Sequence, residues 1–252
     1  MTTKLALLQY DPEPRGVISP DVDGRFTVPA KLLYIFTGDD HFQRFVTQYH
    51  GRRLGNFSTV TKVSWVYQII YHGQTLAVAQ APLGAPAATM YLDMLIDFGV
   101  QTVIAVGSCG ALAAMPEGQL LVPSVALRDE GTSFHYLPAA NWVPLDPTIM
   151  TALTTTLTAA RLPWQLTATW TTDAFFRETA TKVRTVRAQG CQVVEMECSA
   201  LAACAAFRQA AFGQLLYTAD TLAQLKNYDP RQWGRDGVTT AIELGARGLM
   251  NC

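Results

Sequence analysis

TLAVAQAPLGAPAATMYLDMLIDFGVQTVIAVG, residues 75–107, is the stretch that decides the fold. Its two ends, TLAVAQ (75–80) and TVIAVG (102–107), are short apolar runs of the kind that form buried strands. Between them, Pro86 to Phe98 sets Met90, Met94, Leu95 and Phe98 on one face at helical spacing and stops at Gly99. Strand, helix, strand is the unit from which parallel sheets are built. Working outward, the same kind of run recurs as LLYIFT (32–37), WVYQIIY (65–71), QLLVPSVAL (119–127), QLTATWT (165–171) and QLLYTA (214–219), which makes seven candidate strands. Helices are expected near 148–161, 179–189, 197–210 and 237–249, and His72-Gly73 suits a tight hairpin turn. The pattern predicts an α/β fold with a largely parallel or mixed sheet.

Composition narrows what such a fold can serve. The 252 residues are 49% hydrophobic and 15% charged, with 18 Gly and 13 Pro, which excludes a disordered, collagenous or coiled-coil chain. Lys plus Arg total 19 against 20 Asp plus Glu, a formal charge of −1, so there is no basic field to draw in nucleic acid or an anionic membrane. A small molecule or another subunit is the expected partner. Residues 1–252 are expected to form one domain, with 1–30 as an irregular arm carrying Pro12, Pro14, Pro20 and Pro29. Asp21-Val22-Asp23-Gly24 lacks the later ligands of a calcium loop. Cys109, Cys191, Cys198, Cys204 and Cys252 show no zinc spacing and read as reduced thiols of a cytoplasmic protein. The opening apolar patch is broken by Tyr10-Asp11-Pro12 and reads as no secretion signal, and Arg208 and Gln209 interrupt the most apolar late window.

There is no Gly-x-Gly-x-x-Gly after a strand, no P-loop, no His-Glu-x-x-His and no Gly-x-Ser-x-Gly elbow, which sets aside dinucleotide, nucleoside-triphosphate, zincin and serine-hydrolase chemistry. Open α/β sheets place ligands at strand ends, and three polar groups stand there. Gly107-Ser108-Cys109-Gly110 reads as a small-residue turn whose amides and Ser108 hydroxyl could face an anion, or as a plain close-packing turn. Glu195-Met196-Glu197 precedes an Ala-rich helix; two carboxylates there are costly unless paired, or are acids favoured by the helix dipole. Asp220 closes LLYTA (215–219) and could protonate a ligand or cap a turn. Phe175-Phe176 offers either core packing or a stacking face.

In this order, GSCGAL (107–112), VPSVALRDEGTSFHYLP (122–138), WTTDAFFRET (170–179), VVEMECSAL (193–201) and LLYTAD (215–220) resemble the nucleoside phosphorylase family that includes purine nucleoside and uridine phosphorylases. The resemblance runs over roughly residues 32–248. It implies a three-layer sandwich around a central mixed, partly barrel-like sheet. It also implies a homo-oligomer, dimer or hexamer, that cleaves the N-glycosidic bond of a ribonucleoside by phosphorolysis, with inorganic phosphate as co-substrate and no cofactor or metal. By resemblance, Glu197 binds the ribose 2′ and 3′ hydroxyls and Met196 packs on the sugar, with Glu195, Gly107 and Ser108 lining the substrate site. Phe175 covers the base, Asp220 serves purine N7, and Gly38, Ser108 and Arg128 are assigned to phosphate. The uridine branch reads its base four and six residues after the aromatic; Thr179 and Thr181 stand there, which favours a purine.

The chain departs from the family where phosphate is held. Phe42 and Ala105 occupy two positions at which phosphorolytic members carry arginine, and Lys62 is the counterpart of a third arginine, given by a neighbouring subunit. Each charged hydrogen bond lost is worth roughly 1.5–3 kcal/mol, so phosphate binding weakens by orders of magnitude unless another cation substitutes. Arg128, Arg177, Arg231 and Arg235 are available, and Arg231 or Arg235 is alternatively suited to steady Asp220. Two further readings stay open: a nucleosidase that uses water, and a nucleoside-binding protein without catalysis.

Overall fold

The structure is a computed structural model that describes residues 5–20 and 25–252; the 21–24 segment weighed for calcium lies outside the described residues. All seven expected strands form: β1 (Lys31–Ile35), β3 (Val63–Tyr71), β4 (Gln74–Gln80), β5 (Thr102–Ala111), β6 (Leu120–Asp129), β8 (Trp164–Thr172) and β10 (Ala211–Thr221). The expected helices are α2 (Ala85–Asp97), α3 (Pro147–Ala159), α4 (Ala180–Ala188), α5 (Cys198–Phe207) and α6 (Val238–Met250). Among the described residues, one α-helix and three strands were not among the expectations: α1 (Asp39–Gln48), β2 (Arg52–Ser58), β7 (Trp142–Pro144) and β9 (Cys191–Glu195). Each gives a weak signal, since α1 buries a narrow stripe of Phe42, Phe45 and Val46, β2 is mostly exposed, and β7 and β9 are short. Apart from a turn of 3-10 helix at Ala6–Leu8, the described part of the arm before β1 has no helix or strand.

β1 shows why the chain layers as it does. Residues two apart in a strand share a face, so Leu33 and Ile35 look one way and Leu32 and Tyr34 the other, and all four are buried. A strand covered on both sides needs helices on both sides. On one side α1, α3 and α6 pack through Phe42, Ile149, Leu153 and Ile242. On the other, α2 and α5 pack through Tyr91, Leu92, Leu201 and Ala205. The result is a three-layer α/β fold.

Among the described residues, the sheet has ten strands. β1 pairs parallel with both β4 and β5, and β4 continues antiparallel to β3 and then β2. His72 and Gly73 close the β3–β4 hairpin with φ of 45° and 82°, the positive pair that a tight hairpin turn requires. Beyond β5 the sheet closes on itself: β5 pairs with β10, β10 with β6, β6 with β8, β8 with β9, and β9 returns to β5 through Gly110↔Val194. This five-stranded ring is the barrel-like part. It also corrects the reading of Gly107–Gly110 as a turn, because β5 runs straight through to Ala111. A side chain at Gly107 would meet Phe36 Cβ at 3.1 Å, and one at Gly110 would meet Val194 Cγ1 at 3.0 Å. The small residues let a strand thread crowded neighbours; they do not end it.

Candidate active site

β5, β9 and β10 end around a cavity of about 440 Å³. Gly107, Ser108, Phe175, Glu195, Met196, Glu197 and Asp220, seven residues singled out from the sequence, all line it. They come from distant parts of the chain and meet at the carboxyl ends of strands, where open α/β sheets bind ligands. A larger hollow of about 710 Å³ beside Phe57 and Met94 offers a carboxylate, Asp93, already held by Arg208 at 2.7 Å.

The two glutamates of Glu195-Met196-Glu197 are treated differently by the fold. Glu195 ends β9 and is buried, with Oε2 accepting from the backbone N–H of Glu197 at 2.7 Å and of Cys198 at 2.6 Å. Its Oε1 accepts from the hydroxyls of Thr171 at 2.6 Å and Thr169 at 3.2 Å, two residues on the same face of β8. Thr171 Oγ1 in turn accepts from Ser199 N–H at 3.0 Å. Glu195 and Thr171 therefore cap α5. Glu197, at the N-cap position itself, is relieved of capping and turns its side chain to the cavity.

Glu197 is 5% exposed, and its Oε1 accepts from the backbone N–H of Gly84 at 2.7 Å. Gly84 has φ +93°, a conformation that only glycine adopts without strain, and it opens α2. Burial first, then the neighbouring Glu195 charge, hold the Glu197 carboxyl well above the usual carboxylate range. Burial raises the Glu195 pKa as well, but four donors oppose that shift where Glu197 has few, so of the two Glu195 is the more readily ionised.

Asp220, 6% exposed, faces them from β10. Its Oδ2 has no hydrogen-bond partner, and its pKa is raised by burial against the opposing pull of Tyr228 and Arg231. Gly110 makes room for it, since a Cβ there would lie 3.2 Å from Asp220 Oδ1. Glu178 lines the same cavity, its carboxyl pushed up to about 7 by burial and by Asp220. Phe175 and Phe176 form the rim with ring centroids 5.2 Å apart, edge to face.

The residues assigned to phosphate are not brought together. Arg128 is a correction: its guanidinium donates to Ser133 Oγ at 2.8 Å, Pro138 O at 2.7 Å and Leu137 O at 3.2 Å and stacks 4.2 Å over Phe134. Three of its five N–H donors brace that loop, and it does not line the cavity. Gly38 is a second correction, for it lies outside the cavity at the start of α1, where Asp39 and Asp40 already occupy the first turn and Gln80 fixes Asp39 at 2.7 Å. Phe42 is core, Ala105 is buried, and Arg177 and Lys62 are exposed. Arg231 reaches Met115 O at 2.6 Å and Ala219 O at 3.4 Å and acts on Asp220 through its charge, whereas Arg235 is exposed. Among the described residues, the lining contains no Lys or Arg; its charged groups are Glu178, Glu195, Glu197 and Asp220.

Gln214, Glu178 and Trp233 also line the cavity and were missed from the sequence. Gln214 gave a readable signal, a lone amide in the apolar core of β10. Glu178, three residues after Phe175, and Trp233, in the loop before α6, gave none.

Residues 33–244 match the family model of the phosphorylase superfamily. A DeoD-type purine nucleoside phosphorylase of Limosilactobacillus reuteri is 33% identical over 85 residues, 30% of this chain and 36% of that protein. The chain thus spans about a third of the length of such curated relatives. Among solved structures, uridine phosphorylase of Vibrio fischeri superposes with a TM-score of 0.77 at 21% identity, covering 89% of this chain and 93% of that one. AMP nucleosidase of Bacteroides thetaiotaomicron superposes with a TM-score of 0.69 at 18% identity, covering 87% and 86%. At these identities the likeness is one of fold.

Proposed function

This chain belongs to the phosphorylase superfamily, and from that premise we propose that it is an enzyme cleaving the N-glycosidic bond of a ribonucleoside with a purine base. The observation that carries the reading is the convergence of Glu197, Asp220 and Phe175 on one cavity. When the C1′–N bond breaks, positive charge grows on the ribose. A Glu197 carboxylate gripping the 2′ and 3′ hydroxyls stabilises that charge as it appears. The bonding pair goes to the base, and Asp220, whose pKa burial raises, gives a proton at N7. Phe175 stacks on the base and Met196 packs on the sugar.

Two nucleophiles suit this scheme. Phosphate is what the family resemblance implies; water is favoured by a lining whose charged groups are all carboxyls. The protein is read as cytoplasmic and as a homo-oligomer, in keeping with its five free cysteines and with the resemblance respectively. Among the described residues, no helix is long and apolar enough to cross a membrane.

Comparing kcat/KM for inosine, adenosine and uridine tests the base assignment. The purines are expected to lead, and Asp220→Asn is expected to cut their turnover by about 10²–10⁴-fold. A uridine preference that survives Asp220→Asn would refute it.

A further inference from the structure

Gln214 is a polar group in this cavity that the scheme above leaves without a part. It sits in β10, 1% exposed, in register with Ala105 of β5, and its strand neighbours Gly213 and Leu215 are buried and apolar. Its Oε1 has no hydrogen-bond partner, and its side chain lines the cavity together with Gly107 and Ser108. Keeping an unpartnered carboxamide in a buried strand is unfavourable unless something that enters the cavity donates to it. A phosphate suits the place poorly, because its peripheral oxygens mainly accept and, among the described residues, no Lys or Arg lines the cavity to meet its charge. A water molecule is neutral, donates to Oε1 and still has a lone pair to offer. We propose that Gln214 holds a water molecule as the nucleophile, so that this site hydrolyses its nucleoside.

The inference rests on the glycosidic cleavage read above and deepens it. The water oxygen forms the bond to C1′ while the C1′–N bond breaks and its electron pair leaves with the base. Asp220 gives its proton to the base. The proton released by the water passes through solvent to the Asp220 carboxylate and restores the acid. The sum is nucleoside plus water giving free base plus free ribose, with no oxidant or phosphate consumed.

The test starts from the unaltered protein with inosine in phosphate-free buffer, separating the products. Hypoxanthine and free ribose in equal amounts, at a rate that excess phosphate changes by less than about twofold, are expected. Turnover that requires phosphate and yields ribose 1-phosphate overturns the inference and leaves the glycosidic reading standing. Absence of base release under both conditions overturns both. Gln214→Met, close in volume and without either polar atom, is expected to lower kcat about 10–100-fold while KM for inosine moves less than about threefold. A near-normal kcat in that variant removes Gln214 from the nucleophile site. Since the phosphate comparison uses the unaltered chain, it decides the nucleophile even if the variant does not fold.

Discussion

Glu195 and Glu197 lie two residues apart, and the fold gives them opposite surroundings. Four donors hold Glu195 as the helix cap, while Glu197 meets the cavity with a Gly84 amide on one oxygen. Glu197→Gln keeps that amide contact, so it is expected to lower kcat/KM by about 10²–10⁴-fold while the melting temperature stays within a few degrees, checked by steady-state kinetics and thermal denaturation. The pH dependence follows from the same surroundings. Glu197 must be ionised to stabilise the ribose and Asp220 must be protonated to serve the base, so the active form needs both conditions at once and kcat/KM is bell-shaped in pH. Both groups titrate above the usual carboxylate range because both are buried, and the bell-shaped profile of kcat/KM is expected to lie correspondingly high. Asp220→Asn is expected to remove the alkaline limb; a limb left in place would assign it elsewhere. At this scale the sequence made Glu197, Asp220 and Phe175 legible through ordered short motifs. It could not show that Arg128 is consumed by Ser133, Leu137 and Pro138, because its partners lie in a loop whose path depends on the tertiary fold.

The start of α5 is where element and site depend on each other. Glu195, a β9 residue, supplies the cap that α5 lacks at its own N-cap position, and the helix then holds Glu197 at the cavity. Glu195→Ala strips four hydrogen bonds from a buried network. A loss of about 3 kcal/mol is expected, which for a chain of this size lowers the melting temperature by roughly 6–12 °C. An unchanged melting temperature would show that the cap is dispensable. Elements with long apolar runs, such as β1, β5 and β10, were readable from periodicity alone. β2 was not, because its seven residues, Arg52–Ser58, are stabilised by pairing with β3 and bury little. Nor was the extent of β5, where Gly107 and Gly110 resemble turn residues until β9 and β10 are seen crowding that strand.

Across the whole molecule, the layers approach closely enough that single methyl groups matter. A Cβ at Gly245 of α6 would clash with Val106 Cγ2 and lie 3.0 Å from Leu33 Cδ1, so Gly245→Ala is expected to destabilise by about 1–3 kcal/mol despite its better helix propensity, measured by denaturant titration. Stability should also depend on pH. Glu178 titrates near 4.5 when unfolded and at about 7 in the fold, so its contribution is full below 4.5 and is lost as pH rises towards 7. Glu178→Gln is expected to flatten that part of the stability profile. The three-layer sandwich was legible from strand, helix, strand and the two-sided burial of β1, whereas closure of the five-stranded ring rests on long-range pairings that periodicity does not encode. The account as a whole stands or falls on release of free base from inosine by the unaltered chain and by Glu197→Gln. It predicts hypoxanthine release by the first and about 10²–10⁴-fold slower release by the second; inosine bound by both and cleaved by neither would make the chain a nucleoside-binding protein and contradict it.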